Sequence, residues 1–163
     1  AMLLCLIINT KEKYQVYMAF VELAPHNREK EKKYDKAYAD CDTLLMVYQN
    51  NPEHYNYRGH IQFLKGNDGG AHFDFTSALK IEPNYQPALF NLGLYYMRSK
   101  QHEEAEAYFS KSIERLKKDG ISYYFRGMVR AEMGKTVEAC EDFAQAKTLG
   151  IQLEDNEWTQ KCR

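Results

Sequence analysis

At 163 residues, with 44% hydrophobic and 28% charged side chains, the chain is long enough to bury a continuous core and too apolar to stay disordered. Its formal net charge of −1 argues against a general nucleic-acid or anionic-membrane binder, since either needs a basic face. The first segment, Met2-Leu3-Leu4-Cys5-Leu6-Ile7-Ile8, is too short to span a bilayer. It has neither the preceding basic residue nor the following small-residue cleavage site of a signal peptide. It reads as an apolar cap that packs on the first helices or on a second copy of the chain, the alternative being the remnant of a longer export or anchor segment. Ala1 before Met2 looks like an expression scar. Asn9, with Glu12 three residues on, signals a helix start. Pro25 ends that helix near Ala24, because proline in a helix interior forfeits a hydrogen bond, and leaves Pro25 to Arg28 as a loop. The mixed-sign run Arg28-Glu29-Lys30-Glu31-Lys32-Lys33 reads as the solvated start of the next helix.

Beyond residue 50 the chain repeats itself. Gly59, Gly93 and Gly127, then Ala71, Ala105 and Ala139, then Phe75, Phe109 and Phe143, each recur at an interval of 34, a period that marks helix-turn-helix units. Two antiparallel helices approach closely where a Gly on the first faces an Ala on the second, and the Phe fills the space beyond. A helix-interior Gly costs about 1 kcal/mol relative to Ala, so its recurrence in one register signals packing. Gly66-Asn67-Asp68-Gly69-Gly70 reads as the turn between two such helices rather than as a phosphate cradle.

Residues 86–119 carry Leu89, Leu92-Gly93, Tyr96, Ala105 and Phe109, with Ser112 at a small-residue place; residues 52–85 carry Tyr55, Gly59, Ala71, Phe75, Ala78 and Pro83; residues 120–153 carry Tyr123, Gly127, Ala139, Phe143 and Ala146. In these positions the chain resembles the tetratricopeptide repeat (TPR) family. The resemblance implies an all-α fold, a right-handed superhelical array of antiparallel helix pairs in a single domain over 1–163. It comprises a degenerate pair at 11–51, clear repeats at 52–85, 86–119 and 120–153, and a capping helix at 154–163. Upstream, Tyr34, Ala37, Cys41 and Leu44 continue the second-helix column, with Cys41 in the Phe place.

The residue before each repeat's Gly is Arg58, Leu92 or Arg126, and the residue before each Phe is Asp74, Tyr108 or Asp142. Arg goes with Asp in the outer repeats and Leu with Tyr in the middle one. This alternation predicts bidentate Arg58–Asp74 and Arg126–Asp142 pairs across the two helices of each repeat, with a structural role.

In the register of the resemblance, first helices line a concave groove. Its columns are Asn56, Phe90, Tyr124; Tyr57, Asn91, Phe125; His60, Leu94, Met128; and Leu64, Arg98, Glu132. Mostly apolar or aromatic, they suggest a surface for an apolar or amphipathic peptide or helix, with Asn91 and Arg98 as polar anchors. One subclass of the family grips a chaperone's C-terminal carboxylate with two Lys, two Asn and one Arg. Only Asn91 fits that set here, the other places holding Asn56, His60, Ile121 and Phe125, so that ligand is not expected.

Cys5, Cys41, Cys140 and Cys162 include no Cys-x-x-Cys pair. Cys41 and Cys140 read as small core or near-core thiols, and a reducing compartment is favoured. His102-Glu103-Glu104 lacks the second His of a helical zinc site, and His26, His54 and His72 read as loop or surface residues. After Gly150, a helix terminator, the tail reads as a closing helix capped by Asp155 or Asn156, with Trp158 covering the end of the last repeat.

These readings predict a non-enzymatic protein-interaction scaffold with a protein or peptide partner. No cofactor, metal, nucleic acid or small-molecule substrate is expected. The alternative is a structural assembly or membrane-anchored or exported accessory subunit, whose groove is filled by its own termini or a second subunit, with membrane contact only through a longer native N-terminus. A cytoplasmic location is expected, with export or the periplasm as the alternative, and homodimerisation stays open.

Overall fold

The computed structural model describes residues 28–153 and 156–162. The expectations for Met2 to Ile8, the Asn9 start signal, the helix end at Ala24, the Pro25 loop, His26 and an Asp155 cap lie outside them. The described secondary structure is entirely helical, and the chain divides into two compact units, residues 1–83 and 84–163.

In the first unit, α1 (Arg28–Val47) packs on α2 (Pro52–Leu64), which pairs with α3 (Asp68–Ile81). The second unit contains α4 (Gln86–Arg98), α5 (His102–Arg115), α6 (Gly120–Glu132), α7 (Thr136–Thr148) and the one-turn α8 (Glu157–Gln160). Here α4 pairs with α5 and α6 with α7, while α5 also packs on α6. The starts of α2, α4 and α6 and of α3, α5 and α7 keep the 34-residue interval. Local chemistry sets several of these boundaries. Asn51 accepts the Glu53 N–H at 2.9 Å with Pro52 in the first turn of α2, and Asn67 accepts the Gly70 N–H at 3.2 Å at the start of α3, each satisfying an orphan helix donor. Of the Gly66 to Gly70 turn, therefore, only Gly66 and Asn67 precede the helix.

The packing columns do what their size permits. Ala71, Phe75, Ala105 and Phe109 are fully buried, and Ala139 and Phe143 nearly so. A Cβ added at Gly59 would lie 2.9 Å from the Phe75 ring, at Gly93 2.6 Å from Phe109, and at Gly127 2.8 Å from Phe143. Each Phe ring thus rests on glycine backbone, and a methyl group there would overpack the helix pair. Cys41 and Leu45 are buried on α1, so Cys41 packs where the other second helices place Phe.

The first helices also end alike. Gly66, Lys100 and Gly134 all have positive φ, at 77°, 59° and 76°. The next residue's N–H returns five residues in each case: Asn67 to Gln62 O at 2.9 Å, Gln101 to Tyr96 O at 2.9 Å and Lys135 to Arg130 O at 2.8 Å. This is a Schellman closure, which needs a left-handed residue, and the middle repeat fills it with lysine.

The tail helix is capped by Asn156 as expected, but it is a single turn and Trp158 is not its most buried residue. Asn156 closes a capping box with Thr159; Thr159 is the buried residue, whereas Trp158 is half-buried with Lys161 Nζ 4.5 Å from its ring centroid. Cys140 is not a free near-core thiol. It is disulfide-bonded to Cys162, 22 residues on, with Cα atoms 5.2 Å apart. This corrects the reading of separate thiols, because the tail folds back onto α7 and the sequence spacing carries no sign of that path.

Replacing Lys100 by Gly removes the left-handed strain of a side-chain-bearing residue. Stability should rise by about 0.5–1 kcal/mol, or about 1–4 °C in Tm, measured by thermal circular dichroism; an unchanged or lower Tm would show that the turn is unstrained.

Candidate functional site

Charged side chains cross each outer repeat from the first helix to the second. In the first unit, Arg58 Nε donates to Asp74 Oδ2 at 2.8 Å and Nη2 to Oδ1 at 2.7 Å, while Nη1 reaches Asp42 Oδ1 on α1 at 2.6 Å. Asp74 is fully buried and also accepts from Gln62 Nε2 at 2.5 Å. The bond to Asp74 is the main reason the Arg58 guanidinium is held still more firmly protonated than usual. Lys65 pairs with Asp35 across α2 and α1.

In the second unit, Arg126 Nε donates to Asp142 Oδ2 at 2.9 Å, Nη2 to Oδ1 at 2.7 Å, and Nη1 to Ser110 Oγ on α5 at 3.1 Å. Both arginines therefore reach forward 16 residues to their Asp and back 16 to the preceding second helix. Arg130 extends this network, donating to Asp142 Oδ2 at 2.9 Å and to Glu106 Oε1 at 2.7 Å, and Lys135 holds Glu106 Oε2 at 2.6 Å. Burial pushes the Glu106 carboxyl up, but the bonds from Lys135 and Arg130 outweigh it and hold the group below its ordinary value.

The middle repeat uses other chemistry in the same places. Leu92 is fully buried, and Tyr108 stacks on Tyr96 at 5.3 Å with an interplanar angle of 13°. Gln62, Tyr96 and Arg130 form one further column, each meeting the residue at position 74, 108 or 142 of its own repeat. Sequence reasoning missed this column. Its signal was the spacing of four from Arg58, Leu92 and Arg126, which puts both residues on one helix face.

The residues expected to line a groove separate into two groups. Phe90, Tyr124 and Phe125 are buried, with 5%, 4% and 1% of their surface exposed. Phe90 lies 5.7 Å from both Phe109 and Phe125, and Phe109 stacks on Phe125 at 5.8 Å; Tyr124 meets Phe143 at 6.0 Å. These aromatics are core, because α4 and α6 both close on α5. Asn56, Asn91 and Leu94 are buried as well. Tyr57 and His60 in the first unit, and Arg98 and Met128 in the second, retain part of their surface. Tyr57 OH donates to Glu53 at 2.9 Å. Burial pulls the Arg98 guanidinium down to about 10.

A second polar cluster joins α4, α5 and α6. Gln86 Nε2 donates to Ser112 at 2.8 Å and Asp119 at 2.7 Å, Ser112 and Ser122 share a hydrogen bond of 2.9 Å, and Ser122 donates to Asp119 at 2.9 Å. Ser112 and Ser122 are fully buried, so the small-residue place is filled by a hydroxyl with partners. His54 sits in the first turn of α2, half-buried, with its ring 5.9 Å from Tyr48. Among the described residues no group of three or more His, Cys, Asp or Glu side chains is placed to hold a metal, and no helix is long and apolar enough to cross a membrane.

Residues 86–119, which are α4, α5 and their connections, match the family model for the tetratricopeptide repeat. The fold is similar to solved structures of MamA, at a TM-score of 0.66 and 21% identity over 71% of this chain and 68% of that one. A MamA RS-1 double mutant also has a TM-score of 0.66, at 20% identity over 74% of this chain and 68% of that one. Residues 86–119 thus form a tetratricopeptide repeat, and the chain as a whole has a fold similar to that of tetratricopeptide-repeat proteins. YrrB, described as "a TPR protein with an unusual peptide-binding site", is similar at a TM-score of 0.62 and 21% identity, covering 75% of this chain and 63% of that one. No curated protein matches the chain.

In this fold the Arg–Asp columns are internal struts whose charges answer one another. Substituting Arg58 by Leu leaves the buried Asp74 carboxylate with Gln62 alone and should cost about 3–5 kcal/mol. Adding Asp74→Tyr, which copies the Leu–Tyr solution of the middle repeat, should recover at least about half of that loss. Urea unfolding of the single and double variants measures both, and a double variant no better than the single would show that the two solutions are not interchangeable.

Because Glu106 is depressed in the folded state, its stabilising contribution is present above the unfolded value of about 4.3 and is lost as pH falls through the lower folded value. Unfolding free energies measured from neutral pH into this acid range should fall less steeply for Glu106→Gln than for the wild type. Equal slopes would assign the acid sensitivity elsewhere.

Proposed function

We propose that this chain is a non-enzymatic scaffold that binds a protein or peptide partner through the first helices of its repeats. The observation that carries the reading is the repeat fold itself, since such helix pairs supply a rigid frame whose variable positions are free to differ between repeats. Constant columns are consumed by packing, and the charged struts are consumed by one another. What remains for a partner in the second unit is the part-exposed set on α4 and α6, Arg98 and Met128 among it.

That set suits an apolar or amphipathic segment. Met128 offers a deformable apolar contact, and Arg98, already partly desolvated, gains from a carboxylate or carbonyl on the ligand. Tyr57 and His60 offer a smaller aromatic and polar set on α2. YrrB's peptide-binding site is a property of that protein, and it lends the present reading support by likeness of fold only. Phe90 and Tyr124 are poor probes because truncating either would open the core.

The test uses peptides selected against the wild-type chain from a random display library. Arg98→Glu combined with Met128→Asp should weaken the selected peptides by about tenfold or more, measured by fluorescence polarisation, with the helical circular dichroism unchanged. Undiminished binding would remove this face from the model and favour a structural assembly subunit instead.

A further inference from the structure

We propose that the Cys140–Cys162 disulfide is a redox latch that holds α8 closed over the side of α7. The helix it holds is a single turn, Glu157–Gln160, and a helix that short has no stability of its own. Nor is it seated tightly. A partly open cleft of about 570 Å³ lies beside it, lined by Phe143 and Ala144 of α7, Ile151 and Leu153 of the connecting segment, and Thr159. Cys140 and Cys162 lie on the wall of the same cleft. A tail packed as part of the core would leave little room there.

The covalent tie therefore supplies what packing leaves out. It closes a loop of 22 residues, restricting the open states of the tail. Both cysteines are half-buried rather than sealed in the core, so a small dithiol can reach them. Its thiolate attacks one sulfur and the other cysteine leaves as a thiolate that takes up a proton; the reductant's second thiol then displaces the first cysteine. Two cysteine thiols result, and the reductant, having given up two electrons and two protons, leaves as its own cyclic disulfide. With the tie cut, α8 leaves α7 and the cleft wall, Phe143 included, opens to solvent. The redox state of the surroundings then sets whether the end of the last repeat is covered.

Trp158 is the one tryptophan of the chain and lies in α8, so its fluorescence reports the latch directly. Peptide mapping of the oxidised, full-length chain should recover Cys140 joined to Cys162. Full reduction with dithiothreitol should raise acrylamide quenching of Trp158 by about threefold or more, and Cys162→Ser should give the same high quenching without reductant. Helical circular dichroism should stay unchanged in both. Absence of the crosslinked peptide, or quenching that does not respond to reduction, would overturn the latch. Loss of helicity on reduction would also overturn it, by making the bond a staple of the whole second unit.

Discussion

Each repeat depends on the contact between a glycine on its first helix and the face of a phenylalanine on its second. The ring lies where a Cβ would be, at 2.6 to 2.9 Å from the Gly93, Gly127 and Gly59 positions, so the helices approach more closely than two side-chain-bearing helices allow. Other features follow from that closeness. An arginine one residue before the glycine comes within bonding reach of a carboxylate one residue before the phenylalanine. The turn joining the helices must be short, which brings a left-handed residue to Gly66, Lys100 and Gly134.

Geometry is thus held constant while chemistry varies. Positions 58 and 74, and 126 and 142, enclose a carboxylate, and burying it requires donors from several directions. Gln62 and Asp42 in the first unit, and Arg130, Ser110 and Glu106 in the second, complete those networks. The middle repeat avoids the desolvation cost with Leu92 and a Tyr96–Tyr108 stack. One backbone frame accepts both solutions because each fills the same space between the same two helices.

The proposed partner face is narrower than a count of apolar groove positions suggests. Aromatic rings at 90, 124 and 125 are drawn into the core by Phe109 and Phe143, where they hold α4 and α6 in place. The side chains left for contact are few, mixed in polarity and different in each repeat, which is where specificity has to reside.

Much of this was legible in the residues alone. The interval of 34 located six helices, and the Gly, Ala and Phe columns identified the packing, because both depend on short-range periodicity and on side-chain volume. The pairing of Arg with Asp in the outer repeats pointed to contacts across a helix pair for the same reason. Tertiary structure alone decided that Phe90, Tyr124 and Phe125 are core, that Arg130 joins the strut, and that Cys140 bonds Cys162. A first-helix side chain is buried or exposed according to how closely the neighbouring helix pair approaches it, which its own helical phase does not encode. A disulfide across 22 residues likewise depends on the path by which the tail returns, and that path is set by three-dimensional packing rather than by spacing.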